Sequence, residues 1–413
     1  MTERSTEGAA LAGVRVLEIA HAAAAVTGRL LADLGADVIK IEPPGGEAAR
    51  RLPPLATLPN GAEESCYWLA FNTGKRSVTI DLTTQDGRNR FVALARSADI
   101  VVTDFERVGI NENDELAALA RTANPDLIWT EIWPFGRGLP FERYPATDTI
   151  LQALGGHLFL NGDIDRPPVR IGMPVGVMQG GAEAANAALM AYYHKLRGGP
   201  GQRVDISIQE CIVWTLLNTT MSWQILALNE ERGGAVRKER ANKFYTRLVW
   251  PCSDGFIFFG PVGGGGGTAR EKSFSALVDW MIASGFDAPI LHAHDWNGPG
   301  QFNIPQSAYD AVTDHIGRFI ETKTAAELMQ KAVEQRILLA PVSSPRQIFE
   351  YPHFRERNFF ARLYDGIRGI DVDYPALWAQ MSLTPLQALR PAPAPGADTH
   401  TILETVLERG HSR

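Results

Sequence analysis

The chain has 413 residues, 45% of them apolar and 21% charged, the balance of a globular protein with more than one core and not of a disordered one. Its formal net charge of -7 excludes bulk attraction to nucleic acid or to an anionic membrane, while leaving room for a local basic pocket that holds a phosphorylated ligand. Three widely spaced cysteines, Cys66, Cys211 and Cys252, form no CxxC pair, which argues against a disulfide framework or a zinc cage.

Met1 to Ala10 is polar with both charge signs, and no run approaches about 18 uninterrupted apolar residues. A cytoplasmic protein without a membrane span is the expectation. Val14 to Ile19 reads as a β-branched strand, Arg29 to Leu34 as a helical run stopped at Gly35, and Asp37 to Glu42 as a second strand before Pro43-Pro44. Strand, helix and strand within about thirty residues make the crossover unit of a parallel sheet. The alternation recurs with a strand at Ser77–Leu82, a helix near 85–97, a strand at Asp99–Val102 and another at Leu127–Ile132. This predicts an α/β fold with a doubly wound parallel sheet. An alanine-rich helix is expected over 180–197, ended by Gly198-Gly199-Pro200-Gly201, with a strand at Val204–Ile208.

The pattern changes after about residue 220. A strand at Phe256–Phe259, the glycine run Gly263 to Gly267, a helix over 271–284, a loop-like stretch at 296–308 and a helix near 325–336 suggest a smaller α+β domain. The expected division is a large domain over 1–220, completed by 335–413, with the small domain over 221–334. A Pro/Ala-rich segment at 391–397 precedes a last helix. The glycine run lacks the strand–GxGxxG–helix frame of a dinucleotide site and reads as a lid, an inter-subunit contact or a plain linker. His292-Ala293-His294-Asp295 has no further matched ligand nearby, so no metal is expected.

Several blocks occur in a telling order: Leu34 to Pro44, Asn72-Thr73-Gly74-Lys75-Arg76-Ser77 with Asp81-Leu82, Asn124-Pro125, Asp148 with Gln152-Ala153 and Gly155-Gly156, Gly201 to Asp205, Ala340-Pro341-Val342 and Pro395 to His400. Through them the chain resembles the family III CoA-transferases and the related 2-methylacyl-CoA racemases. The resemblance implies coenzyme A or acyl-CoA as substrate with a carboxylic acid as second substrate, a large domain built from both chain ends, and two protomers threaded into an interlocked dimer. It places CoA contacts at Asn72, Lys75, Arg76 and Arg107. Independently, the loop Asn72 to Arg76 offers an ammonium, a guanidinium and backbone N–H groups of the kind that hold phosphate oxygens.

In that family the segment Gly-x-Pro-x-x-Asp-x-x-x-Gly carries a nucleophilic aspartate, which attacks the acyl-CoA thioester to give an enzyme-bound mixed anhydride and then an enzyme-bound aspartyl-CoA thioester. Here the segment is Gly172 to Gly181, and the aspartate position falls on Val177, or on Gly176 after a one-residue slip. Neither can accept an acyl group. The Gly-Pro that usually opens the first helix is replaced by Ala22 to Thr27, and the loop before Arg107 is shortened. Asp148 occupies a recurrent position but follows Thr147, where racemases place a histidine; two acid/base groups would be needed for racemisation. The leading expectation is the subunit without the catalytic aspartate in a heteromeric transferase, as in the succinyl-CoA-dependent benzylsuccinate CoA-transferase, paired with a homologous chain that carries it. The alternatives are a stand-alone transferase or racemase using another acid, such as Asp148 or Glu183, and a non-catalytic acyl-CoA-binding pseudoenzyme. No nucleic-acid or membrane partner is expected.

Overall fold

A computed structural model describes residues 8–239, 244–260, 268–293, 305–376, 378–387 and 390–410. The glycine run Gly263 to Gly267 and the pair His294-Asp295 lie outside them. The chain divides into two compact units: Met1–Leu158 with Arg170–Asn229 and His353–Arg413, and Phe159–Val169 with Glu230–Pro352.

The larger unit is built on six strands: β1 Arg15–Ile19, β2 Asp37–Glu42, β3 Arg76–Thr79, β4 Ile100–Asp104, β5 Ile128–Trp133 and β6 Arg203–Ser207, ordered β3-β2-β1-β4-β5-β6 with every neighbour parallel. The crossovers include α1 Val26–Asp33, α2 Gln85–Ala95 and α3 Ile110–Ala123. Val16, Val38, Ile100, Val102, Ile128 and Ile132 face one core, and Leu17, Ile19, Ile39, Ile41, Val78, Val101 and Trp129 face the other. Burial on both faces explains why these strands read as apolar runs without strict alternation. Among the charged exceptions, Glu18 and Lys40 are fully buried on adjacent strands and sit opposite each other in register.

After α4 (Asp148–Leu154) comes α5, Val175–Leu196. It starts five residues before the predicted point, at the residue after Pro174, so Val177 lies in its first turn. Small residues line its buried side, Gly176, Gly180, Gly181, Ala184, Ala185, Ala188 and Ala191, and they set how closely the helix packs. A Cβ at Gly181 would fall 2.6 Å from Val26 Cγ1 and 3.2 Å from the Ala24 carbonyl oxygen. Two further helices follow β6, α6 Ile208–Trp214 and α7 Leu217–Leu226.

The chain's last segment closes the β3 edge. Ser77 N–H donates to Asp398 Oδ2 at 2.9 Å, Thr79 N–H to Thr399 Oγ1 at 2.9 Å, and Asp398 N–H to the Ser77 carbonyl oxygen at 2.9 Å. The last helix, Thr399–Gly410, adds Ile402 and Leu403 to the core that holds Val78.

The smaller unit holds a three-stranded antiparallel sheet, β7 Val249–Cys252, β8 Gly255–Phe259 and β9 Leu339–Pro341, with β8 central. Its core gathers Trp250, Ile257, Phe259, Phe319 and Leu328. Part of the stretch read as loop over 296–308 is helical: the helix Gln306–Glu321 starts right after Pro305, whose extended backbone serves as N-cap. Gln306 also accepts from Tyr245 N–H and donates back to its carbonyl. Among the described residues no helix is long and apolar enough to cross a membrane, and no group of three His, Cys, Asp or Glu side chains could hold a metal ion.

Candidate active site

In an open parallel sheet, ligands bind beyond the carboxyl ends of the strands where the order reverses. Here that point lies between β1 and β4, because the chain leaves β1 toward β2 on one side and fills β4 on the other. The end of β4 and the loops that follow β1, β2 and β4 bring Asp104 together with His21, Glu47 and Glu106 there. His21 N–H donates to Asp104 Oδ2 at 2.7 Å, and Arg107 N–H donates to Asp104 Oδ1 at 2.9 Å. One buried carboxylate thus fastens both loops of the switch point. Burial pushes the Asp104 pKa up to about 7, helped by the charge of Glu106 and opposed by the His21 N–H.

The ring Nδ1 of His21 pairs with Glu47 Oε1. That oxygen also accepts from Ala49 N–H at 3.1 Å, while the buried Oε2 of Glu47 has no hydrogen-bond partner among the described residues. Burial works to raise the Glu47 pKa, but the His21 hydrogen bond and the field of Lys40 outweigh it and hold the group at about 2. For His21, burial works downward and is outweighed by the hydrogen bond and charge of Glu47, with Glu106 and Asp104 adding to the rise. Nε2 of His21 makes no hydrogen bond among the described residues, and neither does the exposed carboxylate of Glu106. The next residue, Ala22, has φ +35°, a left-handed conformation that a β-carbon disfavours and that the fold must hold in place.

Beneath this edge lies a buried charge network. Lys75 Nζ donates to both oxygens of Glu18 at 2.8 and 2.9 Å, to the Ala25 carbonyl at 2.8 Å and to Asn72 Oδ1 at 3.1 Å. Lys40 Nζ donates to Glu18 Oε1 at 2.9 Å. Burial and the neighbouring Lys40 push the Lys75 pKa down to about 7 against the pull of Glu18. Asn72 and Lys75 therefore meet, but inside the protein and on each other. Arg76 turns away and forms a fork with Asp37, Nε to Oδ1 at 2.8 Å. Arg107 is half-buried, and its buried Nε has no hydrogen-bond partner among the described residues.

At the start of α5, Val177 is buried in the core that holds Leu151 and Ile212. Its N–H donates to Asp148 Oδ1 at 2.9 Å, and Asp148 Oδ2 accepts from Gln152. Asp148 thereby serves as a helix N-terminal acceptor, satisfying a donor that has no partner within the helix. No carboxylate projects from the first turn of α5 itself. Glu183 lies two turns along, bonded to Gln179 and Asn186.

His21, Glu47, Asp104 and Glu106 were not among the residues singled out from the sequence. The signal was available in position alone: His21 lies two residues beyond β1 and Asp104 closes β4.

A model of CoA-transferase family III matches residues 11–399. The chain is 28% identical over 395 residues to the succinyl-CoA:(R)-benzylsuccinate CoA-transferase subunit BbsE of Thauera aromatica, covering 94% of this chain and 92% of that one. It is 29% identical over 396 residues to the succinyl-CoA:mesaconate CoA-transferase of Haloarcula hispanica, again with 94% and 92% covered. Among solved structures, a CAIB/BAIF family protein from Brucella suis superposes with a TM-score of 0.79 at 23% identity, over 98% of this chain and all of that one, a likeness of fold. With a match running through nearly its whole length, the chain belongs to CoA-transferase family III.

Proposed function

We propose that this chain is the subunit without a nucleophile in a heteromeric family III CoA-transferase, and that a homologous partner supplies the aspartate. The family moves CoA between an acyl-CoA and a carboxylic acid. That chemistry needs a carboxylate to attack the thioester carbon, expel CoA thiolate and be expelled in turn. The observation that carries the reading is Val177 in the first turn of α5, with the nearest acid, Asp148, spent on the Val177 N–H and on Gln152.

Two further observations support it. One related protein is itself named as a subunit. Helix α7 also keeps only Ser222 buried, while Trp223, Ile225 and Leu226 are 59%, 71% and 64% exposed, and contiguous apolar surface of this kind marks an interaction site. The interlocking of two protomers belongs to the same proposal. CoA is held at the carboxyl edge of the sheet, with the half-buried Arg107 in the loop after β4 offering its guanidinium to a phosphate; Asn72 and Lys75 shape the floor through Glu18, and Arg76 is tied to Asp37.

The isolated chain is expected to show no acyl exchange between a CoA thioester and a carboxylic acid, and the chain co-purified with an aspartate-bearing homologue is expected to show it. Exchange by the isolated chain, or hydroxylamine trapping of an acylated carboxyl on it, would overturn the assignment.

A further inference from the structure

The cluster at the switch point is not used by the chemistry just described. Glu47 is 1% exposed and turns one oxygen to His21 Nδ1, leaving the imidazole Nε2 without a partner among the described residues. A carboxylate that fixes the tautomer and orientation of a histidine whose other nitrogen is free is the arrangement of a proton-transfer pair. Its surroundings are complete: Asp104 holds the His21 backbone, and Glu106 adds negative charge from the loop after β4. Helix α5 packs close by, since Thr27 Oγ1 donates to the Gly181 carbonyl at 2.7 Å, and Glu106 lies within electrostatic reach of both His21 and Asp148. The left-handed backbone at Ala22 and the unpartnered Glu47 Oε2 are two costs that core packing alone does not require.

We propose that His21, oriented by Glu47, activates water for hydrolysis of an acyl-CoA thioester held at this edge of the sheet. The inference rests on the reading that CoA thioesters bind here. His21 Nε2 takes a proton from water as the oxygen attacks the thioester carbonyl carbon. The tetrahedral intermediate then collapses, the C–S bond breaks, and the imidazolium returns the proton to the departing thiolate. Carboxylic acid and CoA thiol are the products, with no protein nucleophile and no redox change. A chain without the family's aspartate would thus clear thioesters that find no acceptor.

The test uses the isolated full-length chain with acetyl-, butyryl-, benzoyl- and succinyl-CoA in the absence of any added carboxylic acid. Thiol release is followed above the buffer rate, and oxygen-18 from labelled water is sought in the acid product. Release with label from at least one thioester is expected, with kcat falling about a hundredfold or more in His21→Gln and CoA affinity by calorimetry changing less than about threefold. Glu47→Gln should shift the pH of half-maximal rate downward, because the carboxylate that raises the His21 pKa is gone. His21→Ala should regain rate with added imidazole, which a merely structural histidine would not allow. No release from any of the four thioesters, or an undiminished rate in His21→Gln, overturns the inference. A partner complex that transfers CoA while the isolated chain hydrolyses nothing overturns this inference alone, whereas hydrolysis without transfer in the complex overturns only the subunit assignment.

Discussion

Glu18 enters a site with no solvent access and there meets two amino groups, those of Lys40 and Lys75, the second with its pKa pushed down to about 7. Such an arrangement survives only if every donor is matched, because a buried charge that loses its partner costs several kcal/mol. Gly28 makes room for it: a Cβ there would lie 1.7 Å from Glu18 Oε2 and 3.2 Å from Lys75 Cε. Gly28→Ala is therefore expected to lower stability by about 3 kcal/mol or more, read from denaturant unfolding. Glu47 offers a second check. Its folded pKa is lowered from 4.5 to about 2, so its stabilising contribution is full above the unfolded value and disappears as pH falls through the folded one. Glu47→Gln should flatten the acid limb of a thermal-midpoint-against-pH curve, by an amount on the order of 1 to 3 kcal/mol. The His21 pKa moves upward from 6.5, so its share is present below that value and lost as pH rises past the raised one.

The contact between α5 and the turn Ala22–Ala25 is the element whose geometry most affects the site, since it fixes both the first turn of α5 and the loop that bears His21. Gly181→Ala would drive a Cβ against Val26 and the Ala24 carbonyl. A loss of about 1 to 3 kcal/mol is expected, measurable by chemical denaturation, with no such loss in Gly172→Ala, where a Cβ meets nothing within 4 Å. The strands were legible in the sequence because parallel strands buried on both faces leave continuous β-branched runs, as Ile100 to Val102 does. The start of α5 was not, because glycines at 176, 180 and 181 mimic a loop until a neighbouring helix is there to need them. The site was half legible. Val177 declares the missing carboxylate by itself, but His21 and Glu47 are twenty-six residues apart, and only the parallel pairing of β1 with β2 joins them. Lys75 misled for the opposite reason: its sequence neighbourhood looks like a phosphate loop, and the acceptor that occupies it, Glu18, is fifty-seven residues away.

For the molecule as a whole, α7 presents exposed apolar side chains where the proposed homologous partner would sit. Replacing Trp223 and Ile225 by Ser together is expected to abolish co-purification with a homologous subunit while leaving the thermal midpoint of the isolated chain within about 2 °C, since both side chains are exposed in it. Light scattering and size-exclusion chromatography report the first result, calorimetry the second. The β3 edge has a different consequence. Its amides at Ser77 and Thr79 are met by Asp398 and Thr399, more than three hundred residues later. During synthesis on the ribosome, the sheet's outer strand stays uncapped until Asp398 and Thr399 have emerged, a period in which an open edge can pair with other chains. Ending translation after Leu386 should therefore yield material that aggregates, while a separately supplied peptide spanning 387–413 should return part of it to solution.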